Sequence, residues 1–114
     1  MAANTRMNLP TEIFGAVAVV HTPDELGSDQ ADNVEHFLTD LDRNNVVIDL
    51  DSTEMIDSEG LAAILNAQET LRELGGDLKI STTNYANRKI LEITRLDDQL
   101  EVFDSVVDAV RSFV

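Results

Sequence analysis

Two kinds of apolar spacing alternate along the chain. Val46-Val47-Ile48 is an unbroken apolar run of the kind a strand buried on both faces needs. Leu61, Ile64, Leu65, Leu71 and Leu74 then recur at helical spacing, predicting a helix from Ser58 to Leu74 that Gly75-Gly76 stops. Upstream, Arg6–Leu9 and Phe14–Val20 read as two short strands with a turn near Pro10-Thr11-Glu12. Ser28 or Asp29 can cap a helix reaching about Asp42, with Ala31, Val34, Phe37, Leu38 and Leu41 on one face. Downstream, Leu78-Lys79-Ile80 predicts a strand, and Tyr85–Thr94 a helix with Ile90, Leu91 and Ile93 inward or partly so. Leu100–Phe103 reads as a last strand, and Asp104-Ser105 caps a terminal helix carrying Val106, Val107, Val110 and Phe113.

Strand and helix alternate from residue 14 onward, which predicts an α/β fold with right-handed crossovers. The first two strands lie too close for a crossover helix and should pair antiparallel. The expected architecture is a mixed four- to five-stranded sheet with helices mainly on one side. At 114 residues, with no repeat, linker or low-complexity stretch, the chain 1–114 reads as one domain.

The polar turn Asp57-Ser58-Glu59-Gly60 separates the central strand from the helix after it. A helix N-terminus has backbone N–H groups without intrahelical partners and partial positive charge. Ser58 or Asp57 can serve there simply as an N-cap. Alternatively, a serine hydroxyl at that position can accept a phosphoryl group, since the helix end favours an anion.

Charge narrows the partners. Eight Lys and Arg against 22 Asp and Glu give a net charge of −14, which repels nucleic acid and anionic lipid. Neither is expected as a partner; a protein with a basic face is. With no cysteine there is no disulfide or thiolate metal site, and no apolar run is long enough to span a bilayer. Met1-Ala2-Ala3-Asn4-Thr5 lacks signal-peptide design, so a cytoplasmic protein is expected.

The stretch IDLDSTEMIDSEGLAAIL, Ile48–Leu65, resembles the signature of the STAS domain family, whose best-known members are bacterial anti-sigma-factor antagonists. The similarity runs from about residue 14 to the end. It implies the same mixed sheet, with helices mostly on one side. It implies a protein switch rather than an enzyme, with Ser58 as the phosphoacceptor and no cofactor or metal. The implied partners are an anti-sigma factor that is also a serine kinase, and a serine phosphatase acting on phospho-Ser58. The implied partner-binding residues are Asp24, Glu25, Asp57, Ser58, Glu59 and Gly60. Three positions depart from the family pattern. Asp24 and Gly27 flank Glu25-Leu26 where the family often has Gly-Glu-Leu-Asp. Glu59 stands where a small residue is usual, and Arg95 where glycine is common.

Other chemistries use the same residues. Asp49-Leu50-Asp51-Ser52-Thr53 resembles the nucleophile motif of haloacid-dehalogenase-like phosphatases, with Asp97-Asp98 as a metal-binding pair. On a regular strand Asp49 and Asp51 would point the same way and could share an ion. Such an enzyme needs more chain than follows Thr53. A receiver domain with Asp57 as phosphoacceptor would want a lysine near its last strand, and only Arg111 is basic after Arg95. His21 and His36 read as solvated, His21 in a loop and His36 on a helix, without metal-ligand spacing. Arg88, Lys89 and Arg95 form either a solvated helix face or a contact for an acidic partner.

Overall fold

Val46, Val47 and Ile48 lie fully buried at the centre of a five-stranded sheet in a computed structural model, which describes residues 8–113. In chain order the strands are β1 (Thr11–Phe14), β2 (Val17–His21), β3 (Glu25–Leu26), β4 (Asn45–Asp49), β5 (Met55–Ile56), β6 (Asp77–Ser81) and β7 (Val102–Phe103). The helices are α1 (Ala31–Thr39), α2 (Ser58–Glu73), α3 (Tyr85–Ile93) and α4 (Val106–Arg111). Strand order in the main sheet is β1-β2-β4-β6-β7. Only β1 runs antiparallel to its neighbour; β2, β4, β6 and β7 are parallel. The expected mixed sheet is present, with β4 between β2 and β6.

Side chains alternate across the sheet and so define two cores. Val46 and Ile48 of β4 with Leu78 and Ile80 of β6 pack against Val34 and Leu38 of α1, Ile64 and Leu71 of α2, and Leu91 of α3. On the other face Val17, Val19 and Val47 lie under Ala109 of α4, with Val106 and Val110 partly buried beside them. Three helices thus share one side, and the short α4 alone takes the other. Lys79 also points to the α4 side; its ammonium stands 4.3 Å from the Phe113 ring centroid and 3.4 Å from Glu101.

Helix ends follow the local chemistry. After α2, Gly75 takes φ +90° and its N–H donates to Arg72, while Gly76 N–H donates to Leu71 at 2.8 Å. Asn84 caps α3 by accepting from Ala86 and Asn87 N–H, and Ser105 caps α4 by accepting from Asp108 N–H. After α3 the left-handed position is filled by Arg95, at φ 61°, a geometry that costs a non-glycine residue about 1 kcal/mol.

Several boundaries differ from the pattern reading. Of the expected strand Arg6–Leu9, Arg6 and Met7 lie outside the described residues and Asn8-Leu9 is not strand. The first strand occupies Thr11–Phe14, where a turn was expected, and the chain reverses through Gly15-Ala16. Pro10 accepts the His21 N–H through its carbonyl and, lacking an N–H, cannot return the second bond of that pair, so the ladder ends there. Neither Ser28 nor Asp29 caps α1: Gln30 precedes it without a side-chain cap bond, and the helix ends at Thr39 rather than Asp42. The last strand is shorter than Leu100–Phe103, although Leu100 is fully buried. Ile93, expected inward or partly so, is exposed, because the rotation that buries Asn87 and Leu91 on α3 turns it outward. On α4, Ala109 is buried and Val107 is exposed.

Candidate partner-binding site

Two loops are joined beside the main sheet. Strands β3 and β5, two residues each, pair in parallel as Glu25 with Met55 and Leu26 with Ile56. The Asp24 carbonyl accepts from Glu54 N–H at 2.8 Å and Met55 N–H at 3.2 Å, and the Leu26 carbonyl accepts from Asp57 N–H at 3.2 Å. Leu26 and Ile56 are buried, whereas Glu25 and Met55 face solvent. The Thr53 hydroxyl donates to the Pro23 carbonyl at 2.6 Å, closing the same seam. From the other side, the buried Asn87 amide of α3 donates to the carbonyls of Leu50 at 3.0 Å and Thr53 at 2.9 Å. Backbone polar groups of a partly buried loop are thereby satisfied, as burial requires.

This frame delivers the start of α2. Asp57, in extended conformation, is the N-cap: one carboxylate oxygen accepts from Glu59 N–H and Gly60 N–H, both at 3.0 Å. Its second oxygen accepts from Ser28 N–H at 3.0 Å, tying the β3 loop over the helix end. The Gly60 bond, with those of Ser28 and Glu59, holds the Asp57 carboxyl below the usual carboxylate range, against the opposing effect of desolvation. Ser58, the first residue of α2, is exposed. Its hydroxyl makes no hydrogen bond among the described residues and has no part in the capping. Gly60 is buried because the β3 loop crosses it: an added Cβ would stand 2.0 Å from the Leu26 carbonyl oxygen. Only glycine permits that approach.

The structure brings Asp24, Glu25, Asp57, Ser58, Glu59 and Gly60 into one region, with Asp24, Glu25, Ser58 and Glu59 exposed. Pattern reading missed Ser28, whose N–H bonds Asp57, and Met55, which is 48 % exposed beside Glu25. The interrupted apolar spacing at Leu26 and Ile56 was the available signal.

Asp49 and Asp51 are committed elsewhere. One Asp49 oxygen lies 2.9 Å from His21 Nδ1 and the other accepts from Asp51 N–H at 3.0 Å. Asp51 accepts from Thr83 N–H at 2.6 Å and from the Thr82 and Thr83 hydroxyls at 3.2 Å. The strand ends at Asp49 and the chain turns, so the expected common direction of the two carboxylates is not kept. Asp97-Asp98 sits in an exposed turn of 3-10 helix, and among the described residues no three His, Cys, Asp or Glu side chains group as a metal site. His21 is no loop residue: it ends β2 between Asp49 and Glu12, whose carboxylate lies 2.9 Å from Nε2. Its pKa is raised, first by the Glu12 hydrogen bond and then by Asp49, against the opposing effect of burial. His36 is exposed on α1.

Comparison with protein-family models matches residues 8–109 to the STAS domain. The chain belongs to the STAS domain family. A Thermotoga neapolitana relative, named by homology to TM1081 as an anti-sigma factor antagonist, is 29 % identical over 66 residues, 58 % of this chain and 58 % of that relative. An anti-sigma factor antagonist from Mycobacterium paratuberculosis superposes with a TM-score of 0.81 at 23 % identity, covering 93 % of this STAS chain and 92 % of its own. The phosphorylated form of the Bacillus cell fate determinant SpoIIAA gives a TM-score of 0.68 at 13 % identity, over 92 % of this chain and 98 % of that one. These structural likenesses establish the STAS fold. Among the described residues, no helix is long and apolar enough to cross a membrane.

Proposed function

We propose that this STAS domain is an anti-sigma-factor antagonist, a protein-binding switch without catalysis of its own, controlled by phosphorylation of Ser58. One observation carries the reading: Asp57 performs all the side-chain capping of α2, which leaves the exposed Ser58 hydroxyl free to react. The name of the Thermotoga relative and the existence of a phosphorylated form of SpoIIAA favour the same conclusion. The partner is an anti-sigma factor that is also a serine kinase, and a serine phosphatase resets the switch. Asp24, Glu25, Asp57, Ser58, Glu59 and Gly60 form the contact.

The electrostatics explain how the modification acts. Phosphorylation adds roughly two negative charges to a surface that already carries Asp24, Glu25, Asp57 and Glu59. The N–H groups of Glu59 and Gly60 are held by Asp57, so the phosphate gains little from the helix end and projects outward. It weakens the complex by repulsion and by the cost of desolvating a dianion, and leaves the fold intact. The engagement of both Asp49 and Asp51 in structural hydrogen bonds favours a binding role over phosphatase chemistry.

The test uses a purified anti-sigma factor kinase from the same organism with ATP. Intact-mass spectrometry should show one added phosphate on the wild type and none on Ser58→Ala, which should still bind the partner. Ser58→Asp should bind more weakly, and less so as salt rises if repulsion dominates. Equal modification of Ser58→Ala would reduce Ser58 to a passive first residue of the helix.

A further inference from the structure

Of the apolar side chains on the β3–β5 seam, Leu26 and Ile56 are buried and Met55 is 48 % exposed. A strand turns successive side chains to opposite faces, so burying Ile56 sends Met55 to solvent. Its base is held. Met55 N–H donates to the Asp24 carbonyl at 3.2 Å, and Asp57 N–H, two residues on, donates to the Leu26 carbonyl at 3.2 Å. A side chain on a fixed backbone loses less entropy when a partner covers it, and an unbranched thioether fits itself to an uneven apolar recess.

The surroundings of Met55 are acidic. Glu25 stands in register with it, Glu54 precedes it, and the Asp24 carbonyl is the one it bonds. All three of these acids are exposed, and none makes an ion pair among the described residues. Basic residues offer little compensation. Between Asn8 and Leu71 the single Lys or Arg is Arg43, which lies at the other end of β4 and donates to the Gly15 carbonyl at 2.9 Å. At the end of the sheet where Met55 lies, His21 is enclosed by Glu12 and Asp49, and Arg88 is held by Asp104 at 2.7 Å. Lys89, one turn into α3, faces a surface to which Asp51 and Glu59 add further exposed carboxylates. An apolar group bordered by free carboxylates is complementary to an apolar recess bordered by Lys or Arg. A second copy of the chain, at net charge −14, would set like charges against each other there, and an anionic membrane would do the same.

We propose that Met55 is the apolar anchor of the partner interface, entering a recess of the anti-sigma factor kinase whose rim carries lysine or arginine against Glu25 and Glu54. This rests on the switch reading of Ser58 and names a chemistry which that reading leaves open. Met55 lies three residues before Ser58 on the passage from β5 into α2, so a partner that reaches one reaches the other. The two parts of the surface meet different groups. A kinase brings its nucleotide phosphates to Ser58, and these anions repel the phosphate they leave behind, whereas the basic rim meets the carboxylates beside Met55. Anchor and rim hold the unmodified protein, and the phosphate acts at a separate point.

The test measures kinase binding by the wild type, Met55→Ala, Glu54→Lys and, as control, Ile93→Ala, a truncation of an exposed apolar side chain on α3. Met55→Ala should weaken binding roughly tenfold, chiefly through faster dissociation. Glu54→Lys should slow association, most at low salt. Ile93→Ala should bind like wild type. Oxidation by hydrogen peroxide, read by mass spectrometry as Met55 sulfoxide, needs no variant: Met55 should react in the free protein and be protected in the complex. Wild-type affinity in Met55→Ala, with Met55 oxidised as readily in the complex, overturns the anchor and leaves the Ser58 switch standing. An equal loss in Met55→Ala and Ile93→Ala also overturns it, and faster association of Glu54→Lys overturns the basic rim. Failure of the unphosphorylated wild type to bind the kinase overturns both readings. Protection of Met55 without kinase that grows with protein concentration, alongside a dimer in light scattering, assigns the seam to a second copy and overturns the anchor.

Discussion

Asp57 accepts the Ser28 backbone N–H at 3.0 Å with the carboxylate oxygen that does not cap α2. One side chain thus closes a helix end and fastens a loop 29 residues away in sequence. All three of its side-chain bonds, from Ser28, Glu59 and Gly60 N–H, favour the ionised form.

Stability should therefore depend on Asp57 in a defined pH window. Its folded pKa is depressed, so its contribution is fully present above the ordinary carboxylate pKa and is lost as pH falls through the lowered value. Asp57→Asn keeps a good capping residue but removes the charge. Its melting temperature should lie below wild type at neutral pH, and the gap should close as pH falls below the usual carboxylate range. A gap that stays constant down to strongly acid pH would show that the charge contributes nothing.

His21 should act in the opposite direction. Its pKa is raised from 6.5 by carboxylates at both ring nitrogens, so its contribution is complete below 6.5 and is lost as pH climbs through the raised value. His21→Gln should cost most stability in mildly acid buffer and progressively less in alkaline buffer. A proton NMR titration of the imidazole should show a midpoint above the ordinary histidine value, and Glu12→Gln should move it down.

Gly60 should tolerate no side chain. The Cβ of Gly60→Ala would meet the Leu26 backbone carbonyl at 2.0 Å, and backbone cannot swing aside as a side-chain tip can. Denaturant unfolding should report a loss of about 1–3 kcal/mol. Amide exchange should rise at Leu26 and Asp57, whose mutual hydrogen bond must lengthen. An unchanged exchange rate there would mean that the helix, not the β3 loop, had moved.

The order of strands and helices, the central place of β4 and the helix start at Asp57-Ser58 were legible in the chain. Each rests on burial of one face, and that writes a period into neighbouring residues. Other features leave no such mark. Strands β3 and β5, two residues apiece, exist because each supplies the other's hydrogen-bond partners, so neither is recognisable alone. The choice of Asp57 over Ser58 as cap depends on which side chain meets Glu59 and Gly60 N–H once the β3 loop is in place. His21 lies between carboxylates 9 residues before and 28 residues after it, brought together only by strand pairing. The outward turn of Ile93 follows from Asn87 reaching the Leu50 and Thr53 carbonyls, which fixes the rotation of α3. Spacing along a helix tells which residues share a face, but contacts from distant segments decide which face is turned to water.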